Sequence, residues 1–452
     1  MSRDAFHDPR LHFARRQRAL DALGDGLLLL PTAAEALRNG DVLYEYRPGS
    51  DFHFLTGFPE PEAVLVAWRT GRERHHSILF VRQRDKARET WDGRRYGVAG
   101  ARRRFGVDEA FPIGELWQRL PGLLDPQPRL FHRLGGDAAF DRRLLEVFLA
   151  QAKKHRRRQP AAHPPIEDPL PSLAGQRLVK DGAEIAAMRR AVAISVAGHC
   201  AAMRHARPGL HEYEVQAALE AEFRRLGSPR NGYPSIVASG SNACVLHYHD
   251  NDRVMRAGDL LLVDAGAEYM GNTADITRTF PVSGRFSPAQ AAVYGVVLRA
   301  QLAGIRACRA GARWDAAHRV CVRSLTRGLV DLGVLRGDVA RLLRREKYKS
   351  WYMHGTSHWL GRDVHDVGAY LNTLDRPEPL RAGVVLTVEP GLYFHRNDRR
   401  VPKPLRGIGV RIEDDVLVTR AGPVVLTAAA PKTIAEVERL CDKSQAVRAQ
   451  RA

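Results

Sequence analysis

Residues 260–282 read LLLVDAGAEYMGNTADITRTFPV, and their pattern decides the fold of the larger part of the chain. Two β-runs, 260–265 and 273–282, flank a glycine-containing turn at 266–271, so the segment reads as a hairpin. Asp264 closes the first apolar run and Asp275 stands early in the returning strand, which carries two carboxylates towards the same end of one ladder. Adjacent carboxylates repel, and an apolar setting makes ionising them costly, so the pair needs a cation or a shared proton. Either Asp by itself reads as a turn or capping residue. Together, behind Leu-Leu-Leu-Val, they read as a metal site.

A second region of this kind lies downstream. The stretch VVLTVEPGLYF (384–394) puts Glu389 at the end of an apolar run and before a Pro-Gly turn, and GVRIEDDVLV (409–418) puts Glu413 in another strand. Glu is depleted in strands and almost never fully buried unpaired, so a common ligand is the economical explanation, although Glu413 alone also suits the solvent face of an edge strand. Between these runs, WYMHGTSHWLGRDVHD (351–366) carries His354, His358 and His365 in a glycine-punctuated loop. At least one reads as a ligand, and the others as proton shuttles or hydrogen-bond donors to a substrate. Four carboxylates and an imidazole suit Mn(II), Fe(II) or Co(II) better than a structural zinc, and no Cys stands at ligand spacing. Two such ions roughly 3.5 to 4 Å apart can hold a hydroxide at neutral pH and polarise a carbonyl, which favours hydrolysis.

Around this segment the chain is helical. A helix opens with Asp181 and Glu184 in capping-box spacing and carries Ile185, Met188, Val192 and Val196 on one face; Gly227 closes a second. A third starts at Ser287-Pro288-Ala289-Gln290 and is expected to end at Gly311. Arg-Pro-Gly at 207–209 with its following helix, and Arg309 to Gly311 with a helix running to Leu332-Gly333, form a faint repeat. Two similar halves with a site at their seam are implied. Residues 1 to about 160 instead alternate helix and strand, with an amphipathic stretch at 11–23 and short apolar runs at 27–30, 52–58, 63–68 and 78–81. A last helical stretch at 144–152 runs into the basic 153–158, and Pro160, Pro164, Pro165, Pro169 and Pro171 then mark the domain boundary.

The whole chain has 452 residues, which implies two domains, and 44% hydrophobic with 27% charged residues excludes a disordered or fibrous protein. Lys+Arg at 70 against Asp+Glu at 51 leaves +19. The basic runs at 102–104, 153–158, 344–349 and 399–406, most of them without interleaved aromatics, read as solvated surface, so no nucleic-acid partner is expected. Five scattered cysteines, Cys200, Cys244, Cys308, Cys321 and Cys441, read as reduced thiols. A polar N-terminus without a signal h-region, and no run of ~18 apolar residues, give a soluble cytoplasmic protein with no membrane partner as the expectation.

Read in order, Asp264, Asp275 in DITRTFPV, then HGTSHWLGRDVHDVG, TVEPGLYF and GIGVRIEDDVLVT resemble the metal-site motifs of the Xaa-Pro aminopeptidases, within the pita-bread metallopeptidases. YRPGSDFHFLTGFPEPEAVLV (46–66) is similar to the N-terminal region of the bacterial aminopeptidases P, so the resemblance spans nearly the whole chain. It implies a two-domain α/β protein: a creatinase-like N-terminal α/β domain over 1–172 and a pita-bread α+β catalytic domain over 173–445. It further implies two divalent ions, with manganese the metal. Asp264 and Asp275 would hold one ion and His358 the other, Asp275 and Glu413 would bridge, and Glu389 would be a ligand that also handles the proton. His354 matches a histidine contacting substrate, His365 one stabilising the tetrahedral intermediate, His247 one near the substrate proline, and Arg411 an arginine supporting the site.

The reaction so implied is hydrolysis of the bond between an N-terminal residue and a penultimate proline by a hydroxide activated at the dinuclear site. The substrates are peptides with N-terminal Xaa-Pro, and the oligomer a homodimer or homotetramer in which Asp41 and Trp91 reach a neighbour's active site. A dipeptidase of the same fold, a prolidase, shares every metal ligand. A non-catalytic pita-bread interaction protein would lack ligands, and here all five positions are present.

Overall fold

The computed structural model describes residues 8–70, 74–155 and 164–442, and the chain divides into two compact units, Met1–Arg177 and Leu178–Ala452. In the first unit the strands are β1 (Leu27–Pro31), β2 (Leu37–Asn39), β3 (Val42–Leu43), β4 (Val64–Thr70), β5 (Arg74–Val81), β6 (Glu109–Pro112), β7 (Leu130–Phe131) and β8 (Ile166–Glu167). Six of them form a mixed sheet in the order β6-β5-β4-β1-β7-β8, and β2 and β3 make a separate small hairpin. Successive side chains of a strand face opposite ways, and here both faces are apolar. Leu28, Leu65, Ala67 and Leu79 pack on one side with Phe52, Phe54 and Leu20. Leu27, Leu29, Val64, Val66, Ile78 and Phe80 pack on the other with Leu116, Leu120 and Phe148. Continuous apolar runs, rather than alternating ones, follow from this double burial.

One of those runs is not a strand. Residues Ser50–Thr56 form a helix, closed by Gly57 at φ +66°, which turns Phe52, Phe54 and Leu55 onto the sheet. The helix Ala138–His155 is longer than the apolar stretch within it. The basic run beyond it, 156–158, and Pro160 lie outside the described residues.

In the second unit the helix Gly182–His205 opens on a capping box formed by Asp181 and Glu184, and the helix Pro288–Ala307 on one formed by Ser287 and Gln290. The latter ends at Ala307, four residues before the Gly311 stop expected for it, because Cys308 leaves helical geometry. Helices Gly182–His205 and Glu212–Arg225 precede one strand group; Pro288–Ala307 and Ala316–Asp331 precede the other. The first group is β9 (Arg230–Asn231), β10 (Ile236–Ser239), β11 (Leu260–Asp264), β12 (Ala267–Tyr269), β13 (Asn272–Thr273) and β14 (Thr277–Pro281). The second is β15 (Val385–Val388), β16 (Gly391–Tyr393), β17 (Gly409–Arg411), β18 (Asp414–Thr419) and β19 (Gly422–Val425).

Each group contains one long hairpin whose ladder is interrupted. β11 pairs antiparallel with β14, and beyond the interruption β12 pairs with β13 across a tight turn at Met270 (φ +52°) and Gly271 (φ +70°). β15 pairs with β18, and beyond its interruption β16 pairs with β17. The expected continuous strand 273–282 is therefore two short strands, with Asp275 in the gap between them. At the bend the chains approach so closely that a Cβ on Gly266 would lie 1.8 Å from the carbonyl oxygen of Ala274, a contact only glycine permits.

Candidate metal centre

The interruptions are where the carboxylates sit. Asp264 is the last residue of β11 and Asp275 falls two residues before β14; Glu389 follows β15 and Glu413 precedes β18. An interrupted ladder frees side chains that a regular pleat would send to opposite faces, and here both hairpins turn theirs into one cleft of about 440 Å³. His358 enters from the glycine-punctuated loop, which runs beside β15: the Thr387 N–H donates to the His358 carbonyl at 3.0 Å, and the Glu389 N–H to the Thr356 carbonyl at 2.8 Å. His358 Nδ1 lies 3.0 Å from the carbonyl oxygen of Trp359, which leaves Nε2 turned towards Asp275 Oδ2 at 3.4 Å and Glu389 Oε1 at 3.8 Å.

Ligand atoms of Asp275, His358 and Glu413 all lie within 4.8 Å of one another. Asp264 and Glu389 line the same cleft outside this tight trio. Asp264 is held by Arg411, whose Nη2 donates to Oδ2 at 2.6 Å, and by the Tyr233 hydroxyl at 2.7 Å from Oδ1. Glu389 Oε2 lies 3.8 Å from His354 Nδ1. His354 in turn meets the Tyr393 hydroxyl through Nε2 at 2.7 Å, and Tyr393 accepts from Arg411 Nη1 at 3.3 Å. His365 stacks edge-on against His358, with ring centroids 4.2 Å apart, and His247 lines the same cleft.

The electrostatics are those of a site built for positive charge. Burial, reinforced by the charges of Asp275, Glu389 and Asp264, pushes the Glu413 carboxyl well above the usual range. Burial likewise raises Glu389 to about 7, against the pull of His358 and Arg411, and raises Asp275, with the Asp264 charge adding to it. On His358 burial opposes the charged form, but the hydrogen bond and charge of Asp275 outweigh it and carry the imidazole up to about 9. His354 goes the other way, to about 3, because burial and the Arg411 charge both disfavour a proton there. Burial, with the charge of His358 beside it, lowers His365. Four carboxylates gathered around one imidazole, three of which (Asp275, Glu389 and Glu413) hold a proton more tightly than in water, fit a divalent cation.

Three contributors were not singled out from the sequence. The single Tyr233 hydroxyl lies 2.7 Å from Asp264 Oδ1 and 2.5 Å from Asp275 Oδ1, so it ties the two carboxylates of the first hairpin together. Thr277 Oγ1 donates to Glu413 Oε2 at 2.7 Å and accepts from Arg411 Nε at 3.1 Å, linking the halves. Tyr393 joins His354 to Arg411. The residues around Tyr233, Asn-Gly-Tyr-Pro, carry only a turn signal.

Residues 186–420 match metallopeptidase family M24, and residues 12–131 match the N-terminal domain of aminopeptidase P. The chain is 43% identical over 433 residues to the Xaa-Pro aminopeptidase of Escherichia coli (strain K12), a match covering 95% of this chain and 97% of that one. The structure of Pseudomonas aeruginosa aminopeptidase PepP superposes with a TM-score of 0.93 at 46% identity, over 97% of this chain and 99% of that chain. A zinc-substituted E. coli aminopeptidase P in complex with product gives a TM-score of 0.92 at 42% identity, over 96% and 98% of the two chains.

Proposed function

The chain belongs to metallopeptidase family M24, with the N-terminal domain of the aminopeptidases P ahead of it, and from that premise we propose that it removes the N-terminal residue from peptides whose second residue is proline. Its architecture is the matching one, a creatinase-like α/β domain followed by a pita-bread domain of two similar halves. The observation that carries the reading is the convergence of Asp264, Asp275, His358, Glu389 and Glu413 in one cleft, at the interruptions of two hairpins and on the loop between them.

In this proposal Asp264, Asp275, His358, Glu389 and Glu413 would hold two divalent ions, with manganese the metal proposed. When bound, the pair supplies Lewis acidity towards the scissile carbonyl and a nucleophilic water at neutral pH. The protein's own groups do the rest. Glu389 takes the proton released from the attacking water and returns it to the prolyl nitrogen as the bond breaks. His365, at the cleft rim beside His358, donates to the oxygen that gains negative charge. His354, kept neutral and oriented by Tyr393, offers substrate a hydrogen bond. Arg411 fixes Asp264, and His247 borders the space for the proline ring. Proline has no N–H, so a pocket shaped to its ring selects it where a peptidase relying on that donor does not.

A homodimer or homotetramer belongs to the same proposal. Trp91 is 86% exposed on the short helix Lys86–Asp92, and Asp41 lies in the turn of the β2–β3 hairpin, whose Leu37, Val42 and Leu43 are also exposed. Such apolar side chains suit contact with a second copy. Among the described residues no helix is long and apolar enough to cross a membrane. The deciding experiment is release of the free N-terminal amino acid from Xaa-Pro-Yaa and Xaa-Pro peptides by metal-stripped protein, with and without Mn(II). Manganese-dependent cleavage of the tripeptide is expected; cleavage of the dipeptide alone would make the protein a prolidase, and no cleavage with any divalent ion would remove the reading.

A further inference from the structure

Beyond the 3-10 turn Gly240–Cys244, Leu246, His247 and His249 line the cleft, and His249 is a second rim histidine that the reaction above does not use. Its placement is built. Tyr248 donates its hydroxyl to Glu212 Oε2 at 2.8 Å, and the wholly buried Glu212 also receives the Ser239 N–H at 2.6 Å and the Arg253 N–H at 3.1 Å. Asn251, buried at φ +49°, accepts the Val237 N–H at 2.9 Å and donates to the Ser235 carbonyl at 2.9 Å and to Gln216 at 3.0 Å. The chain turns through 246–247, and with Tyr248 anchored inward both flanking histidines, His247 and His249, stand exposed. His247 and His249 both line the cleft, their rings within 17° of parallel and 6.4 Å apart.

Asp264, Asp275 and Glu413 are buried at the floor of the cleft, whereas His247 and His249 are exposed at its mouth, so a peptide whose proline lies at His247 can continue outward past His249. An extended peptide advances about 3.3–3.6 Å per residue. With the proline ring against His247, the 6.4 Å step to His249 spans the next one to two residues. We propose that His249 is a specificity-determining residue that reads the position after the proline, donating a ring N–H to a carboxylate there. That carboxylate is the C-terminus of a tripeptide or an Asp or Glu side chain in a longer peptide. A neutral or a charged imidazole can make this bond, and a substrate ammonium at the same place cannot accept it. The inference rests on the proposed function and adds its preference beyond the proline.

The test uses the full-length manganese-loaded protein and His249→Ala and His249→Gln, with metal content matched. Substrates are Ala-Pro-Ala, its C-terminal amide, and the amidated Ala-Pro-Asp-Ala and Ala-Pro-Lys-Ala; the amide pair reports the C-terminus and the Asp/Lys pair the side chain. Wild-type protein is expected to favour the carboxylate member of at least one pair by about three- to tenfold in kcat/KM, mostly through KM, as one added hydrogen bond allows. His249→Ala should erase that preference and leave kcat on the carboxylate-free substrates unchanged, and His249→Gln, which keeps an N–H donor, should restore part of it. Binding of the products Pro-Ala and Pro-Ala-amide, measured by calorimetry, reads the same contact without turnover. A wild-type protein that cleaves every substrate without preference, or a His249→Ala loss equal on all of them, overturns this inference alone. A wild-type protein that cleaves none removes the proposed function with it.

Discussion

Arg411 Nη2 donates to Asp264 Oδ2 at 2.6 Å, and with that contact the second half of the catalytic unit grips the first: Arg411 ends β17 and Asp264 ends β11. The same guanidinium reaches Thr277 through Nε and Tyr393 through Nη1, so its planar fork serves three partners at once. Burial opposes its charge, but Tyr393 and the carboxylates of Asp264, Glu389 and Glu413 hold it protonated. Removing one member of a buried pair leaves the other uncompensated, at about 3–5 kcal/mol. Arg411→Ala should therefore lower unfolding stability by roughly 3 kcal/mol and loosen metal binding, and Arg411→Lys, a point charge without the fork, should recover only part of each. Denaturant unfolding and metal titration of the two variants check this, and unchanged midpoints would contradict it.

The raised proton affinities of Glu389 and His358 set a pH dependence whose sign can be worked out. Both groups hold a proton more tightly in the fold than in the unfolded chain, Glu389 to about 7 and His358 to about 9. Their stabilising contribution is complete below their unfolded values and is lost as pH rises through those two values. In a chelator, the protein's denaturation midpoint should fall between pH 5 and 9 for that reason. A divalent ion must displace the same protons, so its affinity should rise over this window and flatten above about 9. Calorimetric titration of Mn(II) in two buffers of different ionisation enthalpy measures the protons released. A metal affinity independent of pH from 6 to 9 would rule out this account.

Tyr233 offers one proton to two carboxylates, at 2.7 and 2.5 Å, and so fixes how Asp264 and Asp275 face each other. Groups that orient metal ligands typically cost 10–100-fold in metal affinity when removed. Tyr233→Phe keeps the ring's packing and deletes the tie, so metal affinity should fall at least about tenfold, while the fold is retained by circular dichroism. Equal affinities for the two proteins would show that the hydroxyl is not needed to orient the ligands.

What the sequence made legible at this site is what local pattern encodes. Asp264 and Glu389 announce themselves because each ends an apolar run, and Asp275 and Glu413 because each recurs in a second run after a turn. The capping boxes at Asp181 and Ser287 are likewise local, each spanning four residues, and stand in the structure. The interruption of the ladders was not legible. It depends on Gly266 lying against Ala274, a contact between chains eight residues apart that no hydrophobic period records. Nor were Tyr233, Thr277 and Tyr393, whose hydroxyls find partners as distant as Glu413, 136 residues from Thr277. The helix at Ser50–Thr56 escaped for a third reason: seven residues are too few for a helical period to declare itself, and the tertiary surface decides its form.

The loop bearing His365 is held from below by a buried ion pair, Lys180 Nζ to Asp366 Oδ2 at 2.8 Å, with both side chains almost fully inaccessible. Gly361 packs so close to it that a Cβ there would lie 2.1 Å from Asp366 Oδ2. Lys180→Met takes the ammonium away from the buried Asp366 carboxylate and should destabilise the protein by about 3–5 kcal/mol. Combining Lys180→Met with Asp366→Leu removes both charges, and such paired replacements are often close to neutral. Stability and catalysis then part company. If the ion pair only holds the fold, the double variant recovers both denaturant midpoint and turnover. If it also sets where His365 stands over the scissile bond, the double variant recovers its midpoint but keeps a reduced kcat, with KM for Xaa-Pro-Yaa little changed. The second outcome is expected, because the apolar pair fills the volume without fixing the direction in which the loop leaves it.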